Sequence, residues 1–307
     1  MGKLAILPID YHSIQQPLNF KKQILLFDKI IIEKESLGLA KTFVDFAIKT
    51  GNANVNRSNY TFNNQNVEYL QQEGLLEFDT INKAITVSVD SEEALFMQSM
   101  AIEANEINIL NSQLKNGNPD TLTKLKGLLK QLPVSFARAL SIRLKTEGLE
   151  AYPLYENEPD YSPYGKKAQI LKFVLSQIPE PDDSVSWEQI IEFRKDPATL
   201  QKYYTLITWV NEVSKGEFNL SEIEEKYKAL YYDYSEQYRI HNIKNKQGTI
   251  EILVTAAIDV ISQQITSTTV STSLFSIWKR QINLLDAELK FIGREVAYIH
   301  KIEQKFK

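Results

Sequence analysis

From Leu220 to Tyr238 an apolar or aromatic residue returns every three or four positions: Leu220, Ile223, Tyr227, Leu230, Tyr234, Tyr238. That spacing lays one continuous stripe along an α-helix and cannot be satisfied by a strand, whose faces alternate every second residue. Ser221 followed by Glu224 has the spacing of a capping box, so the helix is expected to open there and run to Gly248. The preceding segment, Pro197 to about Lys215, offers Leu200, Tyr203, Ile207 and Val210 at matching intervals and ends at Gly216. A short glycine-bearing connection makes antiparallel neighbours of two such segments. The C-terminal part is therefore expected to be all-helical and built around a long antiparallel helical hairpin.

The same reading extends over the second half of the chain. Helices are expected at Tyr164–Gln177, at Trp187–Arg194 behind a Ser186 cap, and at Thr249–Gln264, Thr269–Lys290 and Glu295–Phe306. The first half mixes signals. Leu4–Ile9, Lys29–Glu33 and Ile85–Val89 read as β-branched strands, with Leu75–Phe78 and Leu149–Tyr155 as further candidates. Helical spacing appears at Ser36–Thr50, Asn66–Gln72 (closed by Gly74), Ser91–Lys115, Thr121–Gln131 and Pro133–Thr146. Helix, glycine, strand, turn and strand from Val67 to Val89 also match a winged helix, or equally any α+β unit, and that helix has no basic face. The fold class is thus mainly α: a small N-terminal α+β part over residues 1–155, and an all-helical domain over 164–307. The acidic, proline-bearing connector Glu156–Pro163 forms the boundary.

Composition narrows the chemistry. With 307 residues and 43% hydrophobic content the chain can bury sizeable cores. No cysteine is present, which excludes disulfides, thiolate zinc sites and thiol nucleophiles together. The net charge of −4 argues against wholesale coating of nucleic acid. No stretch reaches the roughly 18 apolar residues of a membrane-spanning helix. The N-terminal run ends at Pro8 and reads as a first strand rather than a secretory signal, so a cytoplasmic location without membrane partners is expected.

Candidate site residues are few. Glycine-rich phosphate loops and the GxSxG elbow are absent, and no cofactor or metal is expected. Asp10 and His12 lie just beyond the first strand, where catalytic groups emerge in α/β folds, and are weak candidates for acid–base work. A basic segment carries Lys124, Lys126, Lys130, Arg138, Arg143 and Lys145, suited to phosphates or to an acidic partner, or to pairing within the chain. Tyr227, Tyr231, Tyr234 and Tyr238 form a stripe that serves either as helix core or as a docking face for a protein partner.

The run Val185-Ser186-Trp187-Glu188-Gln189-Ile190-Ile191-Glu192-Phe193-Arg194, then Leu200, Tyr203, Trp209 and Lys246–Thr249, leads to Gly293-Arg294-Glu295-Val296-Ala297-Tyr298-Ile299. Together with Leu26–Ile30 and Glu68–Gly74 these segments resemble a family of uncharacterised bacterial proteins. The resemblance implies a bacterial cytoplasmic protein and brings no activity with it. Arg194 and Arg294, in apolar neighbourhoods, are expected to form ion pairs that are at least partly buried. The expected function is a non-catalytic interaction or regulatory protein that binds a protein partner. Nucleic-acid binding through the basic segment and an enzyme with a dispersed site at Asp10 and His12 are the alternatives.

Overall fold

Parallel strands buried on both faces lose the in–out alternation and become short apolar runs, which is how Leu4–Leu7 and Ile30–Ile32 read. In the computed structural model, which describes residues 2–7, 20–34, 37, 64–81, 91–113, 119–154, 165–262 and 290–306, these runs form a four-stranded parallel sheet. Strand β1 (Lys3–Leu7) is followed by helix α1 (Lys21–Leu26) and β2 (Lys29–Glu33). Helix α2 (Asn64–Gln72) leads into β3 (Leu76–Asp79), and α3 (Glu92–Gln113) and α4 (Pro119–Thr146) lead into β4 (Glu150–Pro153). The order is β3-β2-β1-β4, with Leu4 opposite Lys29, Ile30 opposite Leu76 and Lys3 opposite Glu150.

The chain divides by contacts into two units, Met1–Ser176 and Gln177–Lys307. The expected connector Glu156–Pro163 lies outside the described residues, as do the Ile85–Val89 strand and nearly all of the Ser36–Thr50 and Thr269–Lys290 helices. In the first unit α4 lies over the sheet: Ala137, Leu140 and Leu144 pack with Ile6, Ile31 and Ala151, and the Ser141 hydroxyl donates to the Ala151 carbonyl at 2.6 Å. Helix α3 covers α4 through Met100 and Leu110 against Leu132, Phe136 and Ala139. The two helices expected at Thr121–Gln131 and Pro133–Thr146 are one, with Pro133 inside it. Proline removes one backbone hydrogen bond, and burial of Leu132, Phe136, Ala137, Ala139 and Leu140 offsets that loss.

The second strand of the winged-helix alternative, Ile85–Val89, lies outside the described residues. Helix α2 ends as expected at Gly74, whose φ of 70° lets the Leu75 N–H reach back to the Leu70 carbonyl at 2.8 Å. The strand that follows pairs in parallel with β2, so the segment returns the chain to the sheet.

In the second unit, helix α5 (Lys166–Gln177) having ended, α6 (Trp187–Lys195) opens with a full capping box between Ser186 and Gln189. Asp196 then caps α7 (Pro197–Lys215). Helix α8 (Leu220–Ser262) is longer than expected, because Gly248 costs only about 1 kcal/mol in a helix and does not end it. Its capping box sits two residues earlier than Ser221 and Glu224: the Asn219 N–H donates to Glu222 Oε2 at 2.7 Å and the Glu222 N–H to Asn219 Oδ1 at 3.0 Å. Asparagine is as good an N-cap as serine, and the earlier start brings Leu220 into the helix. A 3₁₀ turn (Arg294–Val296) and helix α9 (Ala297–Phe306) close the described chain. This C-terminal segment makes the extensive contacts with both α7 and α8. The two long helices touch each other through Trp209 and Tyr227, ring centres 6.2 Å apart, and the closely paired hairpin is not what the contacts show.

Candidate functional site

The tyrosine stripe is spoken for within the chain. Tyr227 and Tyr234 are buried, while Tyr231 and Tyr238 are partly buried. His300 of α9 sits against Tyr231, Tyr234 and Tyr238 with ring centres 6.1, 5.3 and 4.7 Å apart. The Tyr231 hydroxyl donates to Glu303. Burial pushes the Tyr227 and Tyr231 hydroxyls well above the ordinary phenol range, and for Tyr231 the Glu303 carboxylate adds to it. The stripe, expected as helix core or as a docking face, seats the C-terminal helix.

What holds that helix in place is a close backbone approach. Gly293 has a φ of 82°, and a Cβ built there would stand 2.0 Å from the Leu230 carbonyl oxygen. Beside it the Gln237 side-chain amide accepts from the Ile292 N–H at 3.2 Å. Phe193 of α6 meets Tyr298 and Phe306 with ring centres at 6.0 and 5.0 Å. The segments Trp187–Arg194 and Gly293–Ile299 therefore meet in one core. Lys301 of α9 binds the α7 cap, at 2.8 Å from Asp196 Oδ2 and 2.6 Å from the Thr199 hydroxyl. The Lys301 hydrogen bond, followed by those from the Thr199 hydroxyl and N–H, holds the Asp196 carboxyl down at about 2.

With its inner face committed, α7 turns Leu200 (37% exposed) and Tyr204 (59% exposed) outward, one turn apart. They line an open groove of about 700 Å³ with Pro197, Thr208, Trp209 and the start of the C-terminal segment at Arg294 and Glu295. Leu200 had been expected in the hairpin core. Arg294 is exposed and Arg194 half-buried.

Among the described residues, the members of the basic segment have different surroundings. Arg143 is fully buried and pairs with Asp79 at the end of β3 and with Glu147 one turn on. Arg138 lies 4.1 Å over the Phe96 ring, and Lys145 faces Glu93 at 3.8 Å. Lys124 is exposed, and the side chains of Lys126 and Lys130 lie outside the described ones. The signal for Arg143 was its spacing: three positions from Leu140 and seven from Phe136, it rides the apolar face of α4. Asp79 stands opposite Glu33 in register, so two buried carboxylates end neighbouring strands.

At the opposite sheet edge Lys167 binds both Glu150 oxygens, at 2.9 and 3.0 Å. Burial lowers the Lys3 amine from its usual range, and the Lys167 charge lowers it further, against the pull of Glu150 and Asp28. Asp10 and His12 lie outside the described residues. Among the described residues no group of three or more metal-ligating side chains gathers, and no helix is long and apolar enough to cross a membrane. The chain matches no protein-family model, no curated protein and no solved structure.

Proposed function

We propose that the chain is a non-catalytic interaction protein that binds a protein partner along the outer face of α7. The observation that carries this reading is the pair Leu200 and Tyr204, large apolar side chains left exposed one turn apart over an open groove. In this reading α7 and α8 are antiparallel arms joined at Gly216–Asn219 and opened to receive the C-terminal segment. A bacterial, cytoplasmic setting rests on the family resemblance. Purification from the native cell tests the proposal, using the wild type and a Leu200→Asp, Tyr204→Asp double variant. A stoichiometric partner lost from the variant supports it. Turnover of nucleotide, phosphoester or peptide substrates by the purified chain alone would sink it.

The strand order favours a second reading, a ligand site at the carboxyl edge of the sheet. In open parallel sheets ligands bind beyond the strand ends where the order reverses, which in β3-β2-β1-β4 lies between β1 and β4. Asp10 and His12 follow Leu7, the last residue of β1, by three and five positions. If His12→Ala left every screened binding and catalytic activity intact, this reading would be dropped.

A further inference from the structure

We propose that the outer face of α3 seats a second copy of this chain, as an antiparallel helix pair with Ile102 on its two-fold axis. The surface belongs to the first unit and goes beyond the reading of α7 above.

Helix α3 carries apolar residues on both of its faces. Inward, Met100 and Leu110 are buried against α4, with Phe96 and Met97 packed beside them. Outward, Leu95 is 62% exposed, Ile102 70% and Ile109 49%. The three stand seven positions apart, two helical turns, and so fall in one line about 21 Å long. A helix that is apolar all round is normally covered all round. Here α4 covers one side, and a row of large apolar side chains is left on the other.

The order of residues along that row identifies the occupant. Between the apolar positions the exposed residues are Gln98 and Ser99, then Asn105 and Glu106. The face therefore reads apolar, polar, polar, apolar, polar, polar, apolar from either end. Turned end for end about Ile102, it sets Leu95 on Ile109, Gln98 on Glu106 and Ser99 on Asn105 of the second copy. A two-fold interface needs a patch that complements itself in this way. Each polar pair has a donor and an acceptor. The Gln98 amide donates to the Glu106 carboxylate, and the Asn105 amide donates to the Ser99 hydroxyl, whose own proton already bonds to the Phe96 carbonyl at 2.8 Å. Charge then fixes the direction. Glu106 alone is charged among the described exposed side chains of α3. Antiparallel pairing keeps its two copies about 12 Å apart along the axis, whereas parallel pairing sets them side by side. A contact confined to one helix pair falls below the roughly 1,200 Å² of a stable interface, so the association is weak and depends on concentration.

The chain has no cysteine, so a single introduced thiol reports its neighbour without interference. In the purified full chain under mild oxidation, Ile102→Cys is expected to give a disulfide-linked dimer, because residue 102 meets its own counterpart. Leu95→Cys alone is expected to stay unlinked, its counterpart being about 21 Å away along the helix; mixed with Ile109→Cys it forms the cross-link. In sedimentation between about 1 and 200 µM the wild type shifts from monomer towards dimer, and Ile102→Asp weakens that association at least about tenfold. Ile102 is exposed, so the substitution leaves the contact with α4 intact. Self-linkage of Leu95→Cys, the mark of a parallel pair, overturns the inference. So does a dimer that Ile102→Asp leaves unchanged, or a wild type that stays monomeric at every concentration, as a face kept for a foreign helix would leave it. Should Ile102→Asp fail to fold, the three thiol variants still decide.

Discussion

Arg143 and Asp196 show how the same kind of pair differs with burial. Arg143 is wholly buried, and its loss removes the guanidinium that faces the Asp79 carboxylate inside the first unit. Arg143→Ala is expected to cost about 3–5 kcal/mol, read by denaturant unfolding, whereas replacing Arg143 and Asp79 together with apolar residues costs much less. Asp196 is nearly half exposed, so its bond to Lys301 is screened and contributes less than about 1 kcal/mol. Its carboxyl is depressed from 3.8 to about 2, so the stabilisation is present above pH 3.8 and disappears as pH falls through that interval. Asp196→Asn keeps the cap and removes the charge. The variant should match the wild type in melting temperature near pH 2 and fall below it at pH 6; an equal deficit at both would contradict the assignment.

At the scale of elements, the account turns on the C-terminal segment and its seat on α8. Gly293→Ala must either move the segment or displace the Leu230 carbonyl, and it adds strain at positive φ. A loss of more than about 1 kcal/mol is expected, together with faster proteolysis after Phe291, read by thermal melting and limited digestion. Periodicity located α7 and the start of α8 closely, because each helix buries a stripe that its own sequence repeats. It placed the four described strands too, since apolar runs such as Lys29–Glu33 have no helical spacing. What periodicity does not carry is the identity of the partner across a stripe. The tyrosines of α8 fit α7, a foreign helix or α9 equally well in one dimension, and only Gly293, Gln237 and Glu303 select among them. Parallel pairing was illegible for the same reason: α2 and β3 read alike whether the strand returns to β2 or turns back on a hairpin. Arg143 was legible in principle through its spacing on α4, while counting it by charge left pairing within the chain as one alternative among several.

For the molecule as a whole, two units carry different chemistry. The first has a parallel sheet with ionic groups at both edges, and the second is a helical body whose tyrosine stripe is filled from within and whose α7 face is open. In the first unit Arg143 and Lys145 are drawn into ion pairs, in a chain of net charge −4. The most direct test places a photo-crosslinking amino acid at position 204 or at position 231 in the native cell. The account predicts that position 204 joins a discrete second polypeptide, while position 231 joins only the chain's own peptide containing Glu303. Cross-links from position 231 to another chain, with none from position 204, would contradict it.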